Sequence, residues 1–104
     1  MNYRSFELIS NTNSELENEI AFCVASARAE GVELVKLIFS NDRHRFIAMA
    51  QKKLRALKRQ GRVEFFEMSE NLLSDTTEAR FFRNKYKEFV ELCSSEASVI
   101  VIKI

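Results

Sequence analysis

Proline is absent from this chain, and glycine occurs only twice, at Gly31 and Gly61. A chain so poor in both carries no flexible or proline-rich linker, and no repeat or low-complexity stretch is present. Its 104 residues therefore read as one domain with a single modest core. Histidine occurs once, at His44, and cysteine twice, at Cys23 and Cys93. The cysteines have no ligand spacing to each other or to the histidine, which argues against a zinc site. Each falls on the apolar side of an expected helix, as a small core residue does. No apolar run reaches bilayer length. The first residues lack the apolar segment of a secretory leader, so cytoplasmic residence is expected and no membrane partner. The motifs GxxxxGK[ST], GxGxxG and HExxH are missing, and no cofactor or metal is implied.

Acid is missing from one window. Between Arg43 and Arg62 there are eight Lys/Arg and no Asp or Glu, against three basic and seven acidic residues before it and five and eight after it. The chain is nearly neutral, at +1, yet its positive charge is gathered into one helix-length block. Such a block attracts polyanions at short range whatever the net charge.

The remaining pattern alternates strands and helices. A first strand spans about Tyr3 to Ile9. Thr12 and Glu15 form a capping box for a helix over roughly Asn13 to Glu30, whose stripe is Leu16, Ile20, Cys23, Val24 and Ala27. Gly31 ends it, free to take positive φ. Glu33 to Phe39 is a strand, and its near-continuous apolar run suits a central position. A second helix covers Arg43 to Gln60 and ends at Gly61. Arg62 to Met68 is the third strand, and Asn71 to Thr77 reads as a loop. Asp75 and Glu78 signal the start of a third helix, Thr76 to Cys93. Ser98 to Ile104 is an unbroken apolar strand, which belongs inside a sheet rather than at its margin. The fold expected is an α/β two-layer sandwich in β-α-β-α-β-α-β order with a four-stranded mixed sheet. Strand–helix alternation favours mainly parallel ladders, with the first two helices on one face.

These residues resemble a known family. Glu7-Leu8-Ile9-Ser10, the helix with Glu15, Gly31, the strand to Ile38, Phe39-Ser40-Asn41-Asp42, the basic helix, Arg62 to Phe66 and the apolar last strand are similar to the small MutS-related (Smr) domain. The resemblance runs without gaps from Glu7 to Asp42 and loosely to Ile104. It implies a fold like the C-terminal domain of translation initiation factor three, and a protein that binds nucleic acid. Some members of that family nick DNA or cleave RNA. The family's DLHG signature reads Glu7-Leu8-Ile9-Ser10 here, and its HGxG signature reads Phe39-Ser40-Asn41-Asp42. An isoleucine and a phenylalanine at the histidine positions neither transfer a proton nor position a phosphate.

On the second helix, at about 100° per residue, Phe46, Ala50, Leu54 and Leu57 share one sector. Arg45, Lys52, Arg55 and Arg59 share another, nearly opposite, a row suited to a phosphate backbone. Its bland alternative is a solvated helix face. Arg43 and His44 add charge at the loop before the helix. That edge is also expected to bring Ser10, Asn11 and Asn13 near Asn41 and His44, with Asp42 as the helix cap. Phe22 and Phe81 lie off the apolar stripes. The expectation is a small non-catalytic module that contacts RNA or DNA phosphates through Arg43, His44, Arg45, Lys52, Arg55 and Arg59. Two alternatives stand beside it. One is a degenerate nuclease using Glu7 and His44. The other is a homodimeric or protein-interaction module whose basic row meets an acidic surface.

Overall fold

The computed structural model of the chain describes residues 2–94 and 98–104, and only the backbone of Asn41, Asp42, Arg43 and Ser94. Strand β1 is Tyr3–Glu7 and helix α1 is Asn13–Ala29. Thr12 Oγ1 accepts the Glu15 amide at 3.2 Å, and the Glu15 carboxylate accepts the Asn11 amide at 3.2 Å. The capping box forms, with its return bond reaching one residue further back than usual. The five stripe residues of α1 are buried. Strand β2 is Leu34–Ile38. A 3-10 turn at Asn41–Phe46 leads into helix α2, Ile47–Arg59. Helices α1 and α2 end alike. Gly31 and Gly61 take φ of +71° and +75°, and the next amides, of Val32 and Arg62, each donate to a carbonyl five residues back at 2.9 Å. This is the six-to-one bond of a Schellman cap, and it requires a left-handed residue.

Strand β3 is Phe65–Met68 and strand β4 is Val99–Lys103. The sheet is mixed, in the order β1-β2-β4-β3. Among the described residues only the β1/β2 ladder is parallel; β4 runs antiparallel to both its neighbours. The mainly parallel sheet expected from the alternation is thus corrected, because β4 enters from the end of the sheet at which β2 finishes. The two most apolar strands, β2 and β4, occupy the centre.

The two expected layers become three. Val35, Leu37, Ile100 and Ile102 pack with α1 and α2 on one face. Leu34, Val99 and Val101 pack on the other with Leu72, Phe82, Phe89 and Cys93. The physical reason is visible in β4, where Val99, Ile100, Val101 and Ile102 are all fully buried. A strand that is apolar on both faces needs cover on both.

The second cover is not one helix but two, α3 at Thr77–Lys85 and α4 at Lys87–Ser94. A 3-10 turn, Ser69–Leu73, precedes them, in part of the stretch expected to be a loop. Thr76, not Asp75, caps α3, its Oγ1 accepting the Ala79 amide at 3.2 Å. The helix breaks at Tyr86, with φ −121° and ψ 47°. The break lets the layer serve both margins of the sheet: Phe82 stacks on Phe65 of β3 at 4.9 Å, and Phe89 meets Tyr3 of β1 at 5.5 Å. The Tyr86 hydroxyl donates to Glu33 at 2.8 Å. Lys103 lies 3.4 Å from the same carboxylate and 3.1 Å from Glu64. The Tyr86 bond, aided by Lys103, holds the Glu33 carboxyl below its ordinary range. Burial, then the Glu33 bond, pushes the Tyr86 phenol up to about 12.

Neither Cys23 nor Cys93 is in a disulfide, and both are buried, as expected of small core residues. Burial, reinforced by Glu19, pushes the Cys23 thiol up to about 12. No helix among the described residues is long and apolar enough to cross a membrane.

Candidate nucleic-acid interface

Helix α2 buries Ala50, Leu54 and Leu57 against the sheet and turns Lys52, Arg55 and Arg59 outward, all exposed. Seven residues separate the first cation from the last, a rise of about 10 Å. Among the described residues, none of the three has an ion-pair partner. The cause lies in the sequence: an acid-free helix offers no carboxylate three or four residues away. Lys58 is the exception, paired with Glu78 of α3 at 3.4 Å.

Arg45 precedes the α-helix. It belongs to the 3-10 turn, which advances about 120° per residue rather than 100°, and its guanidinium sits 4.9 Å over the Phe46 ring. It is exposed. The side chains of Arg43 and Asp42 lie outside the described residues.

Beside the row runs an open groove of about 670 Å³. Arg55, Lys58 and Arg59 of α2, Phe65, Phe66 and Glu67 of β3, and Thr76 and Glu78 at the start of α3 line it, with Phe66 packed toward the α1/α2 core and Phe65 toward the opposite one. Among the described residues strand β3 pairs only with β4, so the groove follows a margin of the sheet. The Lys58–Glu78 pair joins the two helical layers around that margin. Sequence reading missed this groove. The helical wheel shows which way α2 faces, but not that a strand edge with two adjacent phenylalanines lies alongside.

The loops after β1 and β2 meet at one end of the sheet, as expected. The Leu8 amide donates to Ile38 at 3.0 Å and the Phe39 amide to Ser98 at 3.0 Å. His44 there hydrogen-bonds through Nε2 to Ser98 Oγ. Ser98 is nearly buried and holds φ +60°, a strained region for a residue with a side chain. The loop after β1 already encloses a carboxylate of its own chain. Glu19 accepts the Ile9 amide at 3.1 Å, the Ser10 amide at 3.2 Å and the Ser10 hydroxyl at 2.7 Å. Two successive amides and a hydroxyl turned on one carboxylate make an anion-holding turn, and α1 supplies the anion. Ser10 is therefore engaged by Glu19. Glu7 is exposed at the end of β1, and its register runs through Ile38 to Val99. Two strand spacings, about 10 Å, thus separate Glu7 from the strand that begins beside the His44 partner.

Among the described residues, no group of His, Cys, Asp or Glu is arranged to hold a metal ion. Compared with protein-family models, curated proteins and solved structures, the chain matches none.

Proposed function

We propose that this is a degenerate Smr-like domain of the cytoplasm, with the fold of the C-terminal domain of translation initiation factor three, that binds nucleic acid without cleaving it. The observation that carries this reading is the exposed row Lys52, Arg55, Arg59, held by no carboxylate among the described residues. Arg45 and His44 flank its start, and Arg43 adds charge from sequence alone. The order β1-α1-β2-α2-β3 with α1 and α2 on one face, and an apolar last strand inside the sheet, supports the family resemblance.

The side chains standing where the family carries histidines favour binding over cleavage. Phe39 is 3% exposed and packs in the core, while Ile9 is 69% exposed; neither handles a proton. His44 is taken up by Ser98.

The test is fluorescence anisotropy with a labelled RNA across a salt series. Three phosphate contacts give a slope of log affinity on log salt of about −2 to −3, depending on whether the RNA is single- or double-stranded. Neutralising two of them, in Arg55→Gln/Arg59→Gln, should bring the slope to about −1 and weaken binding at every sequence tried. A double variant that binds as wild type, while keeping its circular dichroism, refutes the assignment.

A further inference from the structure

We infer that the polyanion taken by this face is a single strand, seated in the groove between α2 and the β3 margin with a base against Phe66; this rests on the nucleic-acid reading above. The cations alone would suit a duplex as well as a single strand. The groove does not treat the two alike.

Its lining carries both charges on different elements. Arg55 and Arg59 come from α2, Glu78 from α3, and Glu67 from β3, where its Oε1 accepts the Met68 amide at 2.9 Å. A duplex presents phosphates on both of its backbones, so one row pressed against the cations brings the other toward the carboxylates. A single strand has phosphates on one side only and bases on the other. Base edges carry amino donors, and a carboxylate accepts hydrogen bonds from them.

The lining is also aromatic. Phe65 is engaged, stacked on Phe82 at 4.9 Å. Phe66 is half-buried and has no ring partner among the described residues. A half-exposed ring beside unpaired guanidinium groups is the combination by which proteins hold unpaired bases: stacking on the π face, phosphates on the cations. The volume, about 670 Å³, lies within the range of sites that enclose small-molecule-sized ligands. It has room for one or two nucleotides. The Lys58–Glu78 pair spans the groove but is exposed on both sides. Such pairs contribute little, so a strand can part it and gain Lys58 as a further cation.

The experiment compares three probes on the wild-type protein at one salt concentration: an unstructured labelled strand of about a dozen nucleotides, a duplex containing that strand, and poly-glutamate as competitor. The strand should bind about tenfold tighter than the duplex, and poly-glutamate should fail to displace it. Phe66→Leu, which keeps an apolar side chain in the core, should weaken the strand about tenfold and leave the duplex unchanged. Phe66→Tyr should restore strand binding. Equal or tighter binding of the duplex overturns the inference while leaving the nucleic-acid reading intact. Binding of neither nucleic acid fails that reading, and this one with it. Displacement by poly-glutamate at matched charge assigns the groove to an acidic protein segment instead. The strand-to-duplex ratio needs no variant, so a Phe66→Leu protein that fails to fold does not shelter the idea.

Discussion

Replacing Glu19 by alanine empties the turn after β1 of its anion. Three hydrogen bonds to the carboxylate are lost: from the Ile9 and Ser10 amides and the Ser10 hydroxyl, at 3.1, 3.2 and 2.7 Å. They are unequal. Ile9 is exposed, so water replaces the carboxylate there at little cost, whereas Ser10 is only 9% exposed. A hydrogen bond to a charged acceptor contributes about 1.5–3 kcal/mol, and removing it from a buried donor adds desolvation that folding no longer offsets. Counting the two Ser10 bonds as partly buried and the Ile9 bond as replaceable, Glu19→Ala should cost about 2–3 kcal/mol. For a domain of this size that lowers Tm by roughly 10 °C. Glu19→Gln keeps an oxygen in place and should cost about half as much. Urea unfolding followed by circular dichroism measures both, with an unchanged m-value confirming that the denatured state is unaltered. The amide of Ser10 should also lose hydrogen-exchange protection in the alanine variant. A Glu19→Ala protein within half a kcal/mol of wild type, with Ser10 still protected, would mean that the carboxylate merely rests on the loop.

Other outcomes follow from the same contacts. Tyr86 is held neutral in the folded state with a pKa raised from 10.0 to about 12. Its stabilising contribution is complete below the unfolded value and is lost as pH climbs from about 10 toward 12. Tyr86→Phe should flatten the fall of stability in that window, as read by unfolding midpoints at stepped pH. Glu33 shifts the other way, so its contribution is present above the ordinary glutamate range and fades as pH falls through its depressed value; Glu33→Gln should remove that acid-side dependence. Cys23, raised from 9.0 to about 12, should resist a thiol reagent at pH 8 in the native protein and react promptly once denatured. Gly61→Ala meets no atom within 4 Å, so its cost should be conformational alone, about 1–2 kcal/mol by chemical denaturation.

What the sequence disclosed was local. The α1 stripe, the Thr12 cap and both glycine caps depend on residues within five positions of one another, and each stands where its spacing predicts. The central places of β2 and β4 followed from apolar runs, near-continuous in β2 and unbroken from Val99 to Ile102 in β4. The third layer was half-legible, since four consecutive buried residues in β4 demand two covers, but the break at Tyr86 was hidden. Phe82, Tyr86, Phe89 and Cys93 keep helical spacing straight through it, and only contacts to Phe65 and Tyr3 on opposite margins explain the bend. The candidate site divides in the same way. Lys52, Arg55 and Arg59 were readable from the periodicity of α2, whereas the 3-10 turn that carries Arg45 looks like helix in sequence. The His44–Ser98 bond spans 54 positions, and the groove joins residues from α2, β3 and α3. Neither has a signature in any short window.

The strand order has a consequence for how the chain reaches this shape. β3 touches the sheet through β4 alone, so residues 65–68 have no hydrogen-bonding neighbour until residues 99–103 arrive. During vectorial synthesis the β1/β2 pair can assemble early, but Phe65 and Phe66 wait as an orphan ribbon while α3 and α4 are still being made. Closing so long a loop is entropically slow, and an apolar ribbon without a neighbour is prone to sticking to other chains. A nascent chain halted before Val99 should therefore be protease-sensitive at β3, and released fragments of that length should aggregate.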